Sequence, residues 1–406
     1  MSRTPRDAIA FWGNFGTRNL GNECTLAAAV HAVRRRRPTA ALACICTRPE
    51  DAGPRHGLAA SPLRVPRPLP AAGASLPVKL LRRAWRELGD WSLALRRTRQ
   101  LDTLVMTGTG MLTDVGEGPL GLPVDLARWA LAARLGGCRV VFLSVGVEPL
   151  RHPLTRLLVR LALGAASFRS YRDAQSRQRL VTAGVPAGSD PLAPDLAFSL
   201  PAEVLPGQRT PGAPFRTVGV GLYDYRSRGA AGGDDAAAYQ RYLRDMATLV
   251  ERLLDRGDRV RILIGDNTYD EPVLEDFRAV LGPRSPQVED APAESFEGVL
   301  QQLSGVDLVV ASRFHNVLLA LLLGKPVVSL SYNEKNEALM EASGLAGYSR
   351  PLEALEVEWV LERLDALDRR REELRTSLRL AAEGWRRELD SQYDRVFGPP
   401  PARGPD

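Results

Sequence analysis

Short runs of consecutive apolar residues recur along the first half of the chain, separated by longer stretches in which apolar residues return every three or four positions. The runs AIAFWG, ALACICT, TLVMTGTG, RVVFLSVGV and ASFRSYRD lack the strict alternation of a one-faced sheet, so they predict strands buried on both sides. Between them, Glu23 to Arg35 and Pro123 to Leu135 read as helices. This rhythm predicts a doubly wound parallel sheet with helices on its faces. Residues 50–78 interrupt it with prolines and glycines and are expected to form a loop or lid.

Proline and glycine concentrate again at 200–214, and the rhythm then restarts. TVGVGLY, RVRILIG, VDLVVAS and PVVSLSY are the next predicted strands, with helices around Ala237 to Arg256 and Val273 to Leu281. The expected fold class is therefore α/β, with two Rossmann-like domains. The first covers residues 1–205 and the second 214–350, followed by charged C-terminal helices over 351–398 and a tail over 399–406. Ligands of open parallel sheets bind outside the carboxyl ends of the strands. Two such sheets imply a cleft, with motifs at strand ends turned towards it.

Composition narrows the picture without changing it. The 406 residues, 44% hydrophobic and 25% charged, suit a globular chain of about two domains. No apolar run reaches the roughly 18–20 residues that span a bilayer. The start, MSRTPRDAIAFWG, reads as a first strand rather than a signal peptide, so a cytoplasmic location is expected. The net charge of +6 points only weakly to nucleic acid, because it is spread over 102 charged residues; no nucleic-acid partner is expected. Only Lys79, Lys325 and Lys335 among the 54 basic residues are lysine, a bias of composition. Cys24, Cys44, Cys46 and Cys138 show no four-ligand zinc spacing and read as buried structural thiols, so no metal is expected.

The stretch GNFGTRNLGNE, residues 13–23, turns the chain off the first strand into a helix. Gly13, Gly16 and Gly21 permit a sharp turn and a close approach. Asn19 or Asn22 is suited to cap the helix, and Glu23 suits its positive end. The outline resembles a P-loop, but Asn22 and Glu23 stand where a lysine and a hydroxyl residue would be needed, which argues against a nucleoside triphosphate. The four arginines Arg34 to Arg37 read as a solvated helix C-terminus favoured by the dipole.

Residues 306–345 are the most informative. A buried strand ends at Ala311, a helix runs from about Phe314 to Leu323, Gly324 and Pro326 stop it, and Val327 to Tyr332 form the next strand. Arg313 and His315 thus sit where a strand hands over to a helix N-terminus. A guanidinium, an imidazole and free backbone N–H groups converge there on a site the size of an anion. His315 is the one of four histidines placed in this way.

With GNFGTRNLGNE, TGTGMLTD, LSVGVEPL, SYRDAQS, APDLAF and above all SRFHNVLLALLLGKPVVSLSYNEK, the chain resembles the polysaccharide pyruvyl transferase family over most of residues 8–346. The resemblance implies two Rossmann-like domains arranged like a GT-B glycosyltransferase, the first on the acceptor side and the second on the phosphoenolpyruvate side. It implies transfer of the enolpyruvyl unit of phosphoenolpyruvate onto two sugar hydroxyls of a glycan or lipid-linked sugar as a cyclic ketal. No cofactor is implied beyond that donor substrate. Arg313 and Arg172, from SYRD, are the cations expected for the donor's phosphate and carboxylate, and His315 is the expected general acid/base. Gly21, Asn22 and Glu23 are expected on the acceptor side, with Asn22 in place of the family's usual aspartate. Asp173 is a candidate to orient Arg172, Asp195 to close the first domain on the second, and Asp266 to contact ligand.

Two other readings stay open. One is a GT-B glycosyltransferase using a nucleotide sugar, although the pair of glutamates eight positions apart that retaining members often carry is missing, since Ala342 follows Glu334 at that spacing. The other is a non-catalytic anion- or glycan-binding relative. Residues 78–100, basic and carrying Trp85 and Trp91, read either as a helix packed on the first sheet or as a peripheral contact with the inner face of a membrane.

Overall fold

In the computed structural model, which describes residues 7–66, 76–114, 118–207, 215–225 and 236–399, the first apolar run becomes strand β1 (Ala8–Gly13). It pairs in parallel with β2 (Ala41–Cys46) on one side and β4 (Thr103–Met106) on the other. With β3 (Ala59–Pro62), β5 (Arg139–Val145) and β6 (Phe168–Tyr171), the strand order is β3-β2-β1-β4-β5-β6, parallel throughout. Helices α1 (Leu20–Arg36) and α2 (Pro49–His56) make the crossovers towards β3. The crossovers in the opposite direction run through α3 (Leu76–Thr98), α4 (Leu122–Leu135) and α5 (Pro153–Gly164). Right-handed connections put these two groups on opposite faces, which is why the central strands are apolar on both sides. Trp12, Trp129 and Phe142 lie in one core cluster, each completely buried. Cys44 and Cys46 point to the same side of β2, sulfur to sulfur 3.8 Å.

Part of the expected lid is regular structure. Pro49 opens α2 at a position where a missing N–H costs little, and Gly57, at φ 61°, ends it. Strand β3 is short and lies at the sheet edge, where Pro62 is tolerated. Within the loop expected over 50–78, proline and glycine content therefore misread 50–56 and 59–62, and 76–78 open a helix; residues 67–75 of that stretch, like 208–214 of the break and 400–406 of the tail, lie outside the described residues.

The second sheet contains β7 (Thr217–Gly221), β8 (Arg259–Leu263), β9 (Leu308–Ala311), β10 (Val327–Ser331) and β11 (Ser349–Pro351), in the order β11-β10-β9-β7-β8, again parallel. Its helices are α7 (Ala236–Asp255), α8 (Glu271–Leu281), α9 (Phe296–Ser304), α10 (Phe314–Leu322), α11 (Glu334–Ala342) and α12 (Val357–Arg369). Successive strands depart from β7 in opposite directions, to β8 on one side and β9 on the other. The crevice of this sheet thus opens at the carboxyl ends of β7 and β9.

The chain divides into two units. The first holds the residues up to Thr17, Thr25–Ser199 and the chain from Glu388; the second holds Arg18–Cys24 and Leu200–Arg387. Two segments therefore belong to the unit that chain order alone would not give them. The last helix, α13 (Arg371–Phe397), lends its end to the first unit through the arginine run at the end of α1. Arg36, read from sequence as solvated, is 4% exposed. Its Nε donates to Asp394 at 2.7 Å, Nη2 donates to Asp390 at 2.9 Å, and its guanidinium lies over the buried Tyr393 ring. Arg34 and Arg35 are exposed, as expected. A helical repeat that presents one of three adjacent arginines inward explains the difference, and two carboxylates one turn apart receive it.

Because Asp390 and Asp394 keep contact with water, Arg36→Ala is expected to cost about 2–3 kcal/mol rather than the larger penalty of a fully buried pair. Hydrogen exchange should then report faster exchange in residues 388–397 than in the strands of the first sheet.

Candidate functional site

The carboxyl ends of β7, β8 and β9 meet around one guanidinium. Arg313 follows β9 by two residues and precedes α10, and its side chain is mostly buried. Its Nε donates to Asp270 Oδ2 at 2.8 Å and its Nη2 donates to Asp270 Oδ1 at 2.5 Å, a two-pronged pair. Asp270, fully buried just before α8, also accepts the backbone N–H of Asp224 at 3.0 Å, beyond the end of β7. The guanidinium carbon stands 4.7 Å from the centre of the Tyr223 ring, and Tyr223 in turn stacks on Tyr332 with ring centres 4.3 Å apart. Tyr332 follows β10 and is half-buried.

The charge state follows from this geometry. Burial pushes the Asp270 carboxyl up from the ordinary carboxylate range, and the Arg313 guanidinium opposes it. Burial alone would lower Arg313, but the charge and hydrogen bonds of Asp270 lift it above its ordinary value. Two of the five N–H donors of the guanidinium are occupied by the fork, leaving the rest for an anion.

His315 lies two residues on, in the first turn of α10, half-buried, with its ring edge-on to Phe314. Its imidazole packs on Gly21: a Cβ added there would lie 2.0 Å from Nδ1. Only glycine admits the ring at that distance. The segment bearing Gly21 is fixed to the loop after β8. Arg18, at φ 61°, accepts the N–H of Asn267 on its carbonyl at 3.2 Å and pairs with Glu271 at 3.0 Å. Asn19 donates from Nδ2 to Asp266 at 2.7 Å, while its Oδ1 accepts the N–H of Asn22 at 3.1 Å and so caps α1. Asp266 is almost fully buried, and burial raises its carboxyl from the ordinary range, with Arg313 acting against that. Gly265 has the same steric basis as Gly21, since a Cβ there would lie 2.8 Å from Asn316 Oδ1.

Of the residues singled out from sequence, Gly21, Asn22, Glu23, Arg313 and His315 all belong to the second unit. Asn22 is half-buried and Glu23 is fully buried in the first turn of α1. Arg172 belongs to the first unit, at the end of β6, against Gly146. Its Nη1 donates to Asp195 at 3.1 Å and its Nε lies 3.5 Å from Asp173. Burial would lower its pKa, but these two carboxylates raise it. Asp173 also caps α6 (Ala174–Thr182) by accepting the Ser176 N–H. Asn19 caps α1 as one of the two expected candidates, but its bond to Asp266 was not foreseen, and Asp270, Tyr223 and Tyr332 were not singled out. Asp270 stands in GDNTYDE, where its four-residue spacing from Asp266 was the available signal, but nothing in the sequence pairs it with Arg313.

Two outcomes follow from these contacts. Arg313→Ala leaves Asp270 buried without its cation, so that carboxyl must bind a proton to stay inside. A folded pKa above the unfolded value gives stability that is present at low pH and lost as pH rises through the folded pKa. The variant's loss of stability is therefore expected to be smaller at pH 5 than at pH 8, measured by urea unfolding at each. Gly21→Ala should displace the His315 ring and shift its ring-proton resonances, with the other three histidines unchanged.

The comparisons with known proteins agree with this architecture. No curated protein matches the sequence. Among solved structures, HepE of Anabaena in complex with UDP-glucose superposes with a TM-score of 0.60 at 13% identity, covering 96% of this chain and 98% of that one. The UDP-GlcNAc 2-epimerase of Neisseria meningitidis bound to UDP-GlcNAc gives 0.57 at 11% identity, covering 96% and 99%. MurG of Acinetobacter baumannii gives 0.51 at 14% identity, covering 96% and 100%. At these identities the likeness is one of fold, the GT-B type. The family model for polysaccharide pyruvyl transferase matches residues 19–334, from the asparagine that caps α1 to the first residue of α11. The chain is a member of the polysaccharide pyruvyl transferase family.

Proposed function

We propose that the chain transfers the enolpyruvyl unit of phosphoenolpyruvate to a pair of hydroxyls on a glycan sugar, forming a pyruvate ketal. The observation that carries the reading is the neighbourhood of Arg313 and His315: a guanidinium aimed by a buried carboxylate and, in the first turn of the helix it precedes, a half-buried imidazole. Family membership supports the same reading.

Arg313 binds an anionic group of the donor through the donors that Asp270 leaves over. His315 gives a proton to the methylene carbon, which becomes the methyl group as positive charge develops at C2. A sugar hydroxyl adds at C2 and its proton returns to the imidazole. The second hydroxyl of the same sugar then attacks C2, inorganic phosphate leaves with the C2–O bond, and the last proton departs with it. One imidazole can work in both directions because it titrates near neutral pH. Asn22 can bind a hydroxyl but cannot exchange a proton, so the proton work falls to His315.

Incubation with phosphoenolpyruvate and a panel of glycans should yield a pyruvate-sized mass gain on one glycan together with released phosphate. His315→Gln is expected to lower kcat by about 10²–10⁴-fold. Arg313→Lys, which loses the fork, should raise KM for phosphoenolpyruvate by about 10–100-fold. Saturable heat of binding for UDP-glucose, the ligand named for the HepE structure, with none for phosphoenolpyruvate, would replace this reading with nucleotide-sugar transfer. Phosphoenolpyruvate binding without phosphate release on any acceptor would make the chain a non-catalytic relative.

A further inference from the structure

We infer that the outer face of α3 and α5, in the first unit, binds the surface of an anionic lipid bilayer. Both helices cover the same side of the first sheet, with α4 between them, and the inward faces of all three are accounted for. Asp125, Arg128 and Trp129 of α4 are buried, and Trp91 and Leu95 of α3 and Leu158 of α5 pack on the core.

What remains outward has a consistent chemistry. In α5, Leu157 and Leu161 are 52% and 43% exposed and stand one turn apart, so they share a stripe. Arg156 and Arg160, also exposed, flank that stripe, and the helix has no acidic residue. In α3, Trp85 and Leu88 are 67% and 62% exposed, beside the exposed Arg83 and Arg86.

Of the acidic residues of α3, Asp90 is withdrawn from this face, and Glu87, whose side chain is 43% exposed, is committed to the buried Arg128 of α4. Glu87 accepts from Arg128 Nη2 at 2.8 Å, and Asp90, almost fully buried, accepts the N–H of Val65 at 2.8 Å. The charge that reaches solvent from the described side chains of these two helices is thus mainly arginine, with Glu87 as the acid that stays partly exposed, interleaved with leucine and tryptophan. Guanidinium groups pair with lipid phosphates, while leucine and indole enter the boundary between headgroups and acyl chains. No described helix is long and apolar enough to cross a membrane, so the contact is one of the surface. The positive charge of the face complements an anionic bilayer, and the side chains stand on the convex sides of helices.

The test is flotation of the full chain with phosphatidylcholine vesicles and with vesicles containing phosphatidylglycerol. Association with the anionic vesicles only is expected, weakening as salt rises. Arg83→Glu with Arg160→Glu should reduce binding by at least about tenfold with unchanged thermal unfolding. Leu157→Ser with Leu161→Ser should weaken the part that resists salt. On wild-type binding, brominated lipid should quench tryptophan emission, and Trp85→Phe should remove most of that quenching. Failure to float with anionic vesicles, equal binding to neutral ones, or binding untouched by the double charge reversal would each overturn the proposal.

Discussion

The second unit is organised around the need to neutralise one buried guanidinium. Arg313 enters at the end of β9, where the strand order of the sheet changes direction and side chains from several loops converge. A cation in such a place requires a carboxylate at hydrogen-bonding distance, and Asp270 supplies both oxygens. Since Asp270 also holds the Asp224 backbone, the loops after β7 and β8 are tied to the start of α10 through a single side chain. Gly265 belongs to the same constraint: the loop can pass Asn316 and Arg313 closely only without a Cβ. Aromatic packing of Tyr223 on Tyr332 then fixes the plane against which the guanidinium lies.

The glycine-rich turn at residues 13–23 follows, from Arg18 onwards, from that arrangement. Its spacing looks like a phosphate cradle, yet its side chains answer the loop after β8. Asn19 joins Asp266 to the first turn of α1, and Arg18 takes a left-handed backbone that lets its carbonyl accept the Asn267 N–H. Gly21 is required by the imidazole of His315 rather than by a nucleotide. The absence of the P-loop lysine is thus consistent with what the turn does: it provides a flat wall for a ring.

Arginine serves three physical purposes here. Arg36, Arg128, Arg172 and Arg313 are buried and each meets at least one carboxylate, as a planar five-donor group can do and an ammonium does less well. In these places arginine joins elements far apart in sequence, such as α1 to the end of α13. At the candidate site the same fork leaves donors over for a ligand. The remaining exposed arginines matter by position rather than by number, since a net charge of +6 is small and the exposed arginines of α3 and α5 outnumber the partly exposed Glu87 among the described side chains there.

The apolar runs alone determined the α/β class, the restart after residue 200 and most strands, because a strand buried on both faces must be written as consecutive apolar residues. The strand-to-helix handover that carries Arg313 and His315 was equally legible, since its stop signals are local. Sequence misread residues 50–62 because proline and glycine are compatible with a helix start and an edge strand as well as with a loop. It misread Arg36 because four adjacent arginines do not reveal which one faces inward. Nothing local could pair Asp270 with Arg313, forty-three positions away, or give Arg18–Cys24 to the second unit. Those choices belong to tertiary structure alone: a buried charge selects its partner by distance in space, and only the folded chain brings that partner within reach.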